Sequence, residues 1–175
     1  MSQDEWCSGP DVTVPLAKFF HGPVGLDPCS NERSIVRAKR TYCAGGLALP
    51  WDAPTIYKNE PYSRLAAWAE KTVAELAIPY RGKRKELVGL EPVCTSAEWW
   101  DITVAADPLL VFTKRLSFID ENGIVAKSGA RFDSVFTVWA NKRREAEFLR
   151  LFAPVVRFAT RGKDWRRFLT ERRRS

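Results

Sequence analysis

The stretch Thr55-Ile56-Tyr57-Lys58-Asn59-Glu60-Pro61-Tyr62-Ser63 begins with four residues of strand character, turns at a proline and delivers the chain into a long amphipathic run. Thr, Ile and Tyr suit the pleated, half-buried surface of a sheet, and Pro61 biases the residue before it away from helix. Beyond the turn Leu65, Trp68, Ala69, Val73 and Leu76 recur at helical spacing. This predicts a helix from Arg64 to Ala77 with Ser63 as its N-cap.

The same alternation extends outward on both sides. Upstream, Asp11–Phe20 is amphipathic with Asp11 as N-cap, which requires Pro15 to lie in the first turn or kink the helix. Pro23–Pro28 reads as a short apolar strand ending in Asp27, and residues 30–54, broken by Gly45-Gly46 and Pro50, read as irregular with at most one helical turn. Downstream the pattern predicts strands at Leu87–Pro92, Leu109–Phe112 and Arg115–Ile119, a helix at Ser96–Ala106 and a turn at Glu121-Asn122-Gly123. Ser134–Ala140 is the clearest alternating strand, followed by a helix at Asn141–Ala153, a strand at Val155–Ala159 and a helix at Asp164–Arg172. Strands alternating with helices make an α/β layered sheet. Residues 1–160 are read as one domain, and 161–175 as a basic C-terminal tail or helix.

In such sheets a ligand sits beyond the carboxyl ends of strands, which singles out Leu26-Asp27-Pro28-Cys29-Ser30-Asn31 and Lys58-Asn59-Glu60-Pro61-Tyr62-Ser63. The Asn59 amide oxygen and a following backbone carbonyl can accept two hydrogen bonds from an exocyclic amino group while the Tyr62 ring stacks on the planar base that carries it. An acid at position 27 can hold a hydroxyl- or amino-bearing cofactor. The same residues also compose ordinary turns, and from composition alone both readings stand.

Charge narrows the choice of partner. The 175 residues carry a net charge of +7, with 45% hydrophobic and 12% aromatic content sufficient for a core. From Asn141 to Ser175 there are twelve Lys or Arg against four Asp or Glu, a surplus of eight, whereas residues 1–140 are one charge negative. A near-neutral body with a basic end suits a polyanion, although basic termini also serve solubility alone. Arg161, Lys163, Arg166, Arg167, Arg172, Arg173 and Arg174 can neutralise phosphates, with Trp165 placed for stacking. Trp99-Trp100 reads as core with a rim. No apolar run reaches membrane-spanning length and the start, Met1-Ser2-Gln3-Asp4-Glu5, is acidic, which predicts a cytoplasmic protein without membrane partners. Four scattered cysteines lack metal-ligand spacing and read as small buried thiols, so no metal is expected. His21, the single histidine, weighs against a triad hydrolase.

Five segments in register resemble one family. Glu5-Trp6-Cys7-Ser8-Gly9-Pro10 is similar to the opening Glu-Trp-Tyr-Thr-Pro-Pro of phage-type DNA N-6-adenine methyltransferases, and Val24-Gly25-Leu26-Asp27-Pro28-Cys29-Ser30-Asn31 resembles their first strand and acidic turn. Trp51 and Tyr57–Ser63 resemble the stretch leading into the family's Asn-Pro-Pro-Tyr motif. Val93–Trp100 sits where the family has a Thr-containing turn and an aromatic-rich helix. Arg115–Phe118 with Ser128–Ser134 resembles its Arg-x-x-Phe and Ala-Pro-Phe-Pro-Ser elements.

The resemblance implies a compact Rossmann-like methyltransferase fold, a mixed sheet flanked by helices, and S-adenosylmethionine as cofactor. Trp6, Ser8, Pro10, Asp27, Pro28 and Cys29 would bind that cofactor. Asn59, the carbonyl of Glu60, Pro61 and Tyr62 would form the catalytic turn around a flipped adenine in double-stranded DNA, in the host bacterial cytoplasm if phage-encoded. Two positions depart from the family pattern: Glu60 replaces the first proline of the motif, and Ser8-Gly9 replaces Thr-Pro. An active methyltransferase and a catalytically inactive relative acting as a DNA-binding or protein-interaction module are both compatible with these departures.

Overall fold

The computed structural model describes residues 7–120, 124–125 and 132–172, with side chains to residue 167. Trp6, the Glu121-Asn122-Gly123 turn, Ser128–Arg131, Arg173 and Arg174 lie outside the described residues, as does the side chain of Arg172. The elements in chain order are β1 (Cys7–Ser8), α1 (Pro10–Phe19), β2 (Thr55–Lys58), a 3-10 turn (Tyr62–Arg64), α2 (Leu65–Ala77), β3 (Glu86–Pro92) and α3 (Glu98–Ala105). There follow β4 (Leu109–Thr113), β5 (Phe118–Ile119), β6 (Ser134–Trp139), α4 (Lys142–Phe152), β7 (Val156–Arg161) and α5 (Gly162–Arg172).

Five strands form a mixed sheet in the order β2-β3-β6-β4-β7. β2 and β3 are parallel, and each later neighbour pairs antiparallel. Beyond β2, Leu26 bridges Ile56 in parallel and extends the sheet by a single ladder step. The period-two alternation of side chains divides the core. Tyr57, Val88, Leu90, Phe136 and Val138 pack under α1 and α4, against Leu16, Phe19, Phe148 and Phe152. On the other face Ile56, Leu87 and Trp139 meet Trp68 of α2, and Leu110, Phe112 and Val135 meet Trp99 and Trp100 of α3.

Several expectations change in detail. All six residues of β6 are buried, because a central strand covered by helices on both faces has no solvent side. Pro10, preset for a first helical position, starts α1 early with Gly9 as its N-cap, and Pro15 lies inside the helix. Asp11 is therefore not the cap. Its carboxylate accepts the Ser117 N–H at 2.8 Å, tying α1 to the approach of β5. Ser63 does not cap α2 either, since Tyr62–Arg64 forms a 3-10 turn ahead of it and Arg64 holds the cap position without a side-chain bond. The segment Pro23–Pro28 makes isolated bridges, Val24 to Ala38, Leu26 to Ile56 and Asp27 to Thr41, in place of a full strand. Arg115–Ile119 reduces to the two residues of β5, which pair with β1 in a separate ribbon.

The C-terminal helix is docked on the body. Trp165 of α5 lies 5.5 Å from the Phe112 ring and 6.2 Å from that of Trp100. Gly162 allows the entry to α5, because a Cβ there would stand 2.5 Å from the Val104 carbonyl oxygen.

Candidate functional site

β2 alternates its side chains between two environments. Tyr57 and Asn59 line a cleft on the α1 side, whereas Lys58 is fully buried and pairs with Glu60 away from it. The cleft is small and open to solvent, and its wall includes Cys7, Ser8, Asp27, Cys29, Tyr57 and Asn59. Asp27 and Asn59 stand at the carboxyl ends of two adjacent parallel segments, the location at which open α/β sheets hold ligands.

The wall residues hold one another. β1 brings in Ser8, whose hydroxyl hydrogen-bonds the Tyr57 hydroxyl at 2.6 Å. The Cys7 thiol donates to Asn31 Oδ1 at 3.1 Å. Asp27 is 4% exposed, and its Oδ1 accepts the Cys29 N–H at 3.1 Å. Burial pushes the Asp27 carboxyl up to about 6 despite the hydrogen bonds from Cys29 and Ser30. Burial, then the Asp27 charge, also raises the Cys29 thiol, which keeps it neutral. The turn behind Asp27 is packed without spare room: a Cβ on Gly46 would lie 1.8 Å from the Pro28 carbonyl oxygen. Gly9 donates its N–H to Ser117 O at 3.0 Å, a bond that a proline at this position would lack.

A second, buried polar cluster lies beneath the Asn59–Tyr62 turn. Lys58 Nζ donates to Glu60 Oε1 and, at 2.6 Å, to Glu91 Oε1, which also accepts from Thr137 Oγ1 at 3.2 Å. Burial opposes the Lys58 ammonium, but the two carboxylates outweigh it and hold its pKa above the ordinary lysine value. Glu60 is raised by burial against the pull of Lys58. Its carboxylate is thus turned into the sheet and paired there with the ammonium it shares with Glu91. Tyr62 packs edge-on against Phe132 with ring centroids 5.2 Å apart, and burial, followed by the Glu60 and Glu91 charges, pushes its hydroxyl up.

The structure therefore brings Ser8, Asp27, Cys29 and Asn59 together, with Glu60, Pro61 and Tyr62 continuing from Asn59. Pro10 is exposed at the start of α1, Pro28 is buried behind Asp27, and neither lines the cleft. Of the basic residues, Arg161 belongs to β7 and is engaged with Glu145 at 2.9 Å, while Lys163, Arg166 and Arg167 are exposed on α5. His21 stands at the end of α1, 3.8 Å from Glu147, and does not line the cleft. Sequence reasoning missed Tyr57, Ser34 and the Lys58–Glu91–Thr137 network, whereas Asn31 of the segment it singled out does line the cleft. A signal for the network was present: Lys58 closes β2 and Glu60 follows two residues later, the spacing that puts extended side chains on one side.

Residues 1–159 match the family described as DNA N-6-adenine-methyltransferase (Dam). The chain belongs to that family. No curated protein and no solved structure matches it. The chemistry of a DNA N-6-adenine-methyltransferase is methyl transfer to adenine in DNA. The matched region includes the cleft, the Asn59–Tyr62 turn and all but the last two residues of β7, and ends before α5. Among the described residues no helix is long and apolar enough to cross a membrane, and no group of three or more His, Cys, Asp or Glu could hold a metal ion.

Proposed function

We propose that the protein transfers the methyl group of S-adenosylmethionine to the N6 amino group of an adenine flipped out of duplex DNA, as a compact phage-type enzyme of Rossmann-like organisation. The observation that carries this reading is the convergence of Asp27 and Asn59, from adjacent parallel segments, on one cleft with Ser8 and Tyr57. The donor set suits the cofactor. Asp27 supplies an anionic acceptor for a hydroxyl or ammonium group, and the neutral thiols of Cys7 and Cys29 supply weakly polar walls.

S-adenosylmethionine, when bound, supplies a methyl group on a positively charged sulfur that is open to in-line displacement. Asn59 Oδ1 and the carbonyl of Glu60 accept the two N–H bonds of the adenine amino group and aim its nitrogen at the cofactor side. Tyr62 stacks on the flipped base. Placement and removal of water from the amine lower the barrier, and the amino group sheds a proton to solvent as the new N–C bond forms. Lys163, Arg166 and Arg167 of α5 hold phosphates of the duplex. The inactive-module reading rested on a carboxylate in the motif, and the pairing of Glu60 with Lys58 inside the sheet favours the enzyme.

Calorimetry with S-adenosylmethionine, followed by tritiated-methyl transfer to unmethylated DNA, tests the proposal. Wild type and Asn59→Ala are expected to bind the cofactor alike, with transfer by the variant reduced by about a hundredfold or more. A wild-type protein showing neither binding nor transfer would overturn it.

A further inference from the structure

Three strands contribute to a charge cluster that the reaction above does not use. Lys58 on β2 is fully buried, as are the side chains of Glu60 and Glu91 to within 1%. Thr137 on β6 completes the set from the neighbouring strand. Space for it is made at Gly89, where a Cβ would stand 2.5 Å from Thr137 Oγ1, 3.0 Å from Glu91 Oε1 and 3.1 Å from Lys58 Cε.

Such a cluster is a poor way to gain stability. Removing one ammonium and two carboxylates from water carries a large desolvation penalty, and apolar side chains of similar volume hold a sheet face at least as well. Here the cost is only partly offset, since Glu60 Oε2 and Glu91 Oε2 have no hydrogen-bond partner. What the ions provide is direction. Pro61 fixes its own φ, near −56°, but nothing in the covalent chain fixes the φ of residue 60. That residue is instead anchored through its side chain to Lys58, which Glu91 holds in turn.

We infer that Lys58 is a positioning residue: by tying Glu60 to Glu91 it sets the orientation of the Asn59–Tyr62 turn, which continues from Asn59 in the cleft wall, and hence of the residue-60 carbonyl. The catalytic consequence rests on the methyl-transfer reading, whereas the positioning itself does not.

The test compares two triple variants with wild type. K58M/E60Q/E91Q removes every charge of the cluster, and K58M/E60P/E91Q does the same while supplying a fixed φ at residue 60. Hydrogen exchange of the peptide spanning residues 56–66 reads the turn, and urea unfolding reads global stability. K58M/E60Q/E91Q is expected to match or exceed wild type in global stability while this peptide exchanges about tenfold faster. K58M/E60P/E91Q returns exchange toward the wild-type rate.

In methyl transfer the first variant loses about tenfold in kcat with KM for S-adenosylmethionine within about twofold, and the second regains kcat. Wild-type exchange in K58M/E60Q/E91Q would overturn the inference. If the triple variants fail to fold, Glu60→Asp, which keeps the charge but shortens its reach, is expected to loosen the same peptide, and unchanged exchange there overturns it equally. A wild-type chain without transfer whose variants follow the expected exchange order would refute the functional proposal and leave the positioning role intact.

Discussion

Asp27→Asn should make this protein more stable and, on the proposed function, less able to bind S-adenosylmethionine. The Asp27 carboxyl is 4% exposed, and burial moves its pKa from 3.8 to about 6. The folded state therefore holds this proton more firmly than the unfolded chain does. Between about pH 4 and pH 6 the unfolded chain ionises first, so the stability present below that window is lost as pH rises through it and stays lost above. The shift is about two pH units, which corresponds to about 3 kcal/mol. Asparagine is nearly isosteric and keeps an oxygen for the Cys29 N–H, but carries no charge to desolvate.

Urea unfolding of both proteins at about pH 4 and about pH 8 should show equal stability at the lower pH and a variant more stable by about 2–3 kcal/mol at the higher. In a chain of this size that gain raises Tm by about 5–10 °C. Calorimetry should show loss of S-adenosylmethionine affinity by about tenfold or more, a stability gain at the expense of function. A difference independent of pH, or a variant less stable than wild type at about pH 8, would refute the reasoning.

Gly46→Ala drives a methyl group to 1.8 Å from the Pro28 carbonyl oxygen. It should cost about 3 kcal/mol or more, seen as a lowered Tm, together with weakened cofactor binding as the Asp27 turn moves. Trp165→Ala removes the ring that joins α5 to Phe112 and Trp100, and thermal melts should show a loss of about 2–3 kcal/mol. Replacing Lys163, Arg166 and Arg167 together by glutamine leaves that ring in place. The slope of log affinity for duplex DNA against log salt should fall by about two to three. An unchanged slope would move the phosphate contacts off α5.

The strand–turn–helix from Thr55 to Ala77, the alternation of elements and the strand end before Asn59 were legible from the chain alone, whereas the strand expected before Asp27 is only a set of isolated bridges. Periodicity, turn chemistry and the residues that follow a strand are local properties, written within a few residues of one another. The direction and order of strands β3, β6, β4 and β7 were not, because pairing partners lie tens of residues apart and the period of a strand is the same in either direction. Charge shows the limit most clearly. In the sequence Glu60 is an acid in a motif meant to approach DNA, and Arg144 and Arg161 belong to a basic end. In the fold Glu60 is buried and paired with Lys58, Arg144 is held by Glu86 and Glu147, and Arg161 by Glu145. A side chain's charge is set by its type, but whether that charge reaches a ligand depends on what the tertiary structure packs against it.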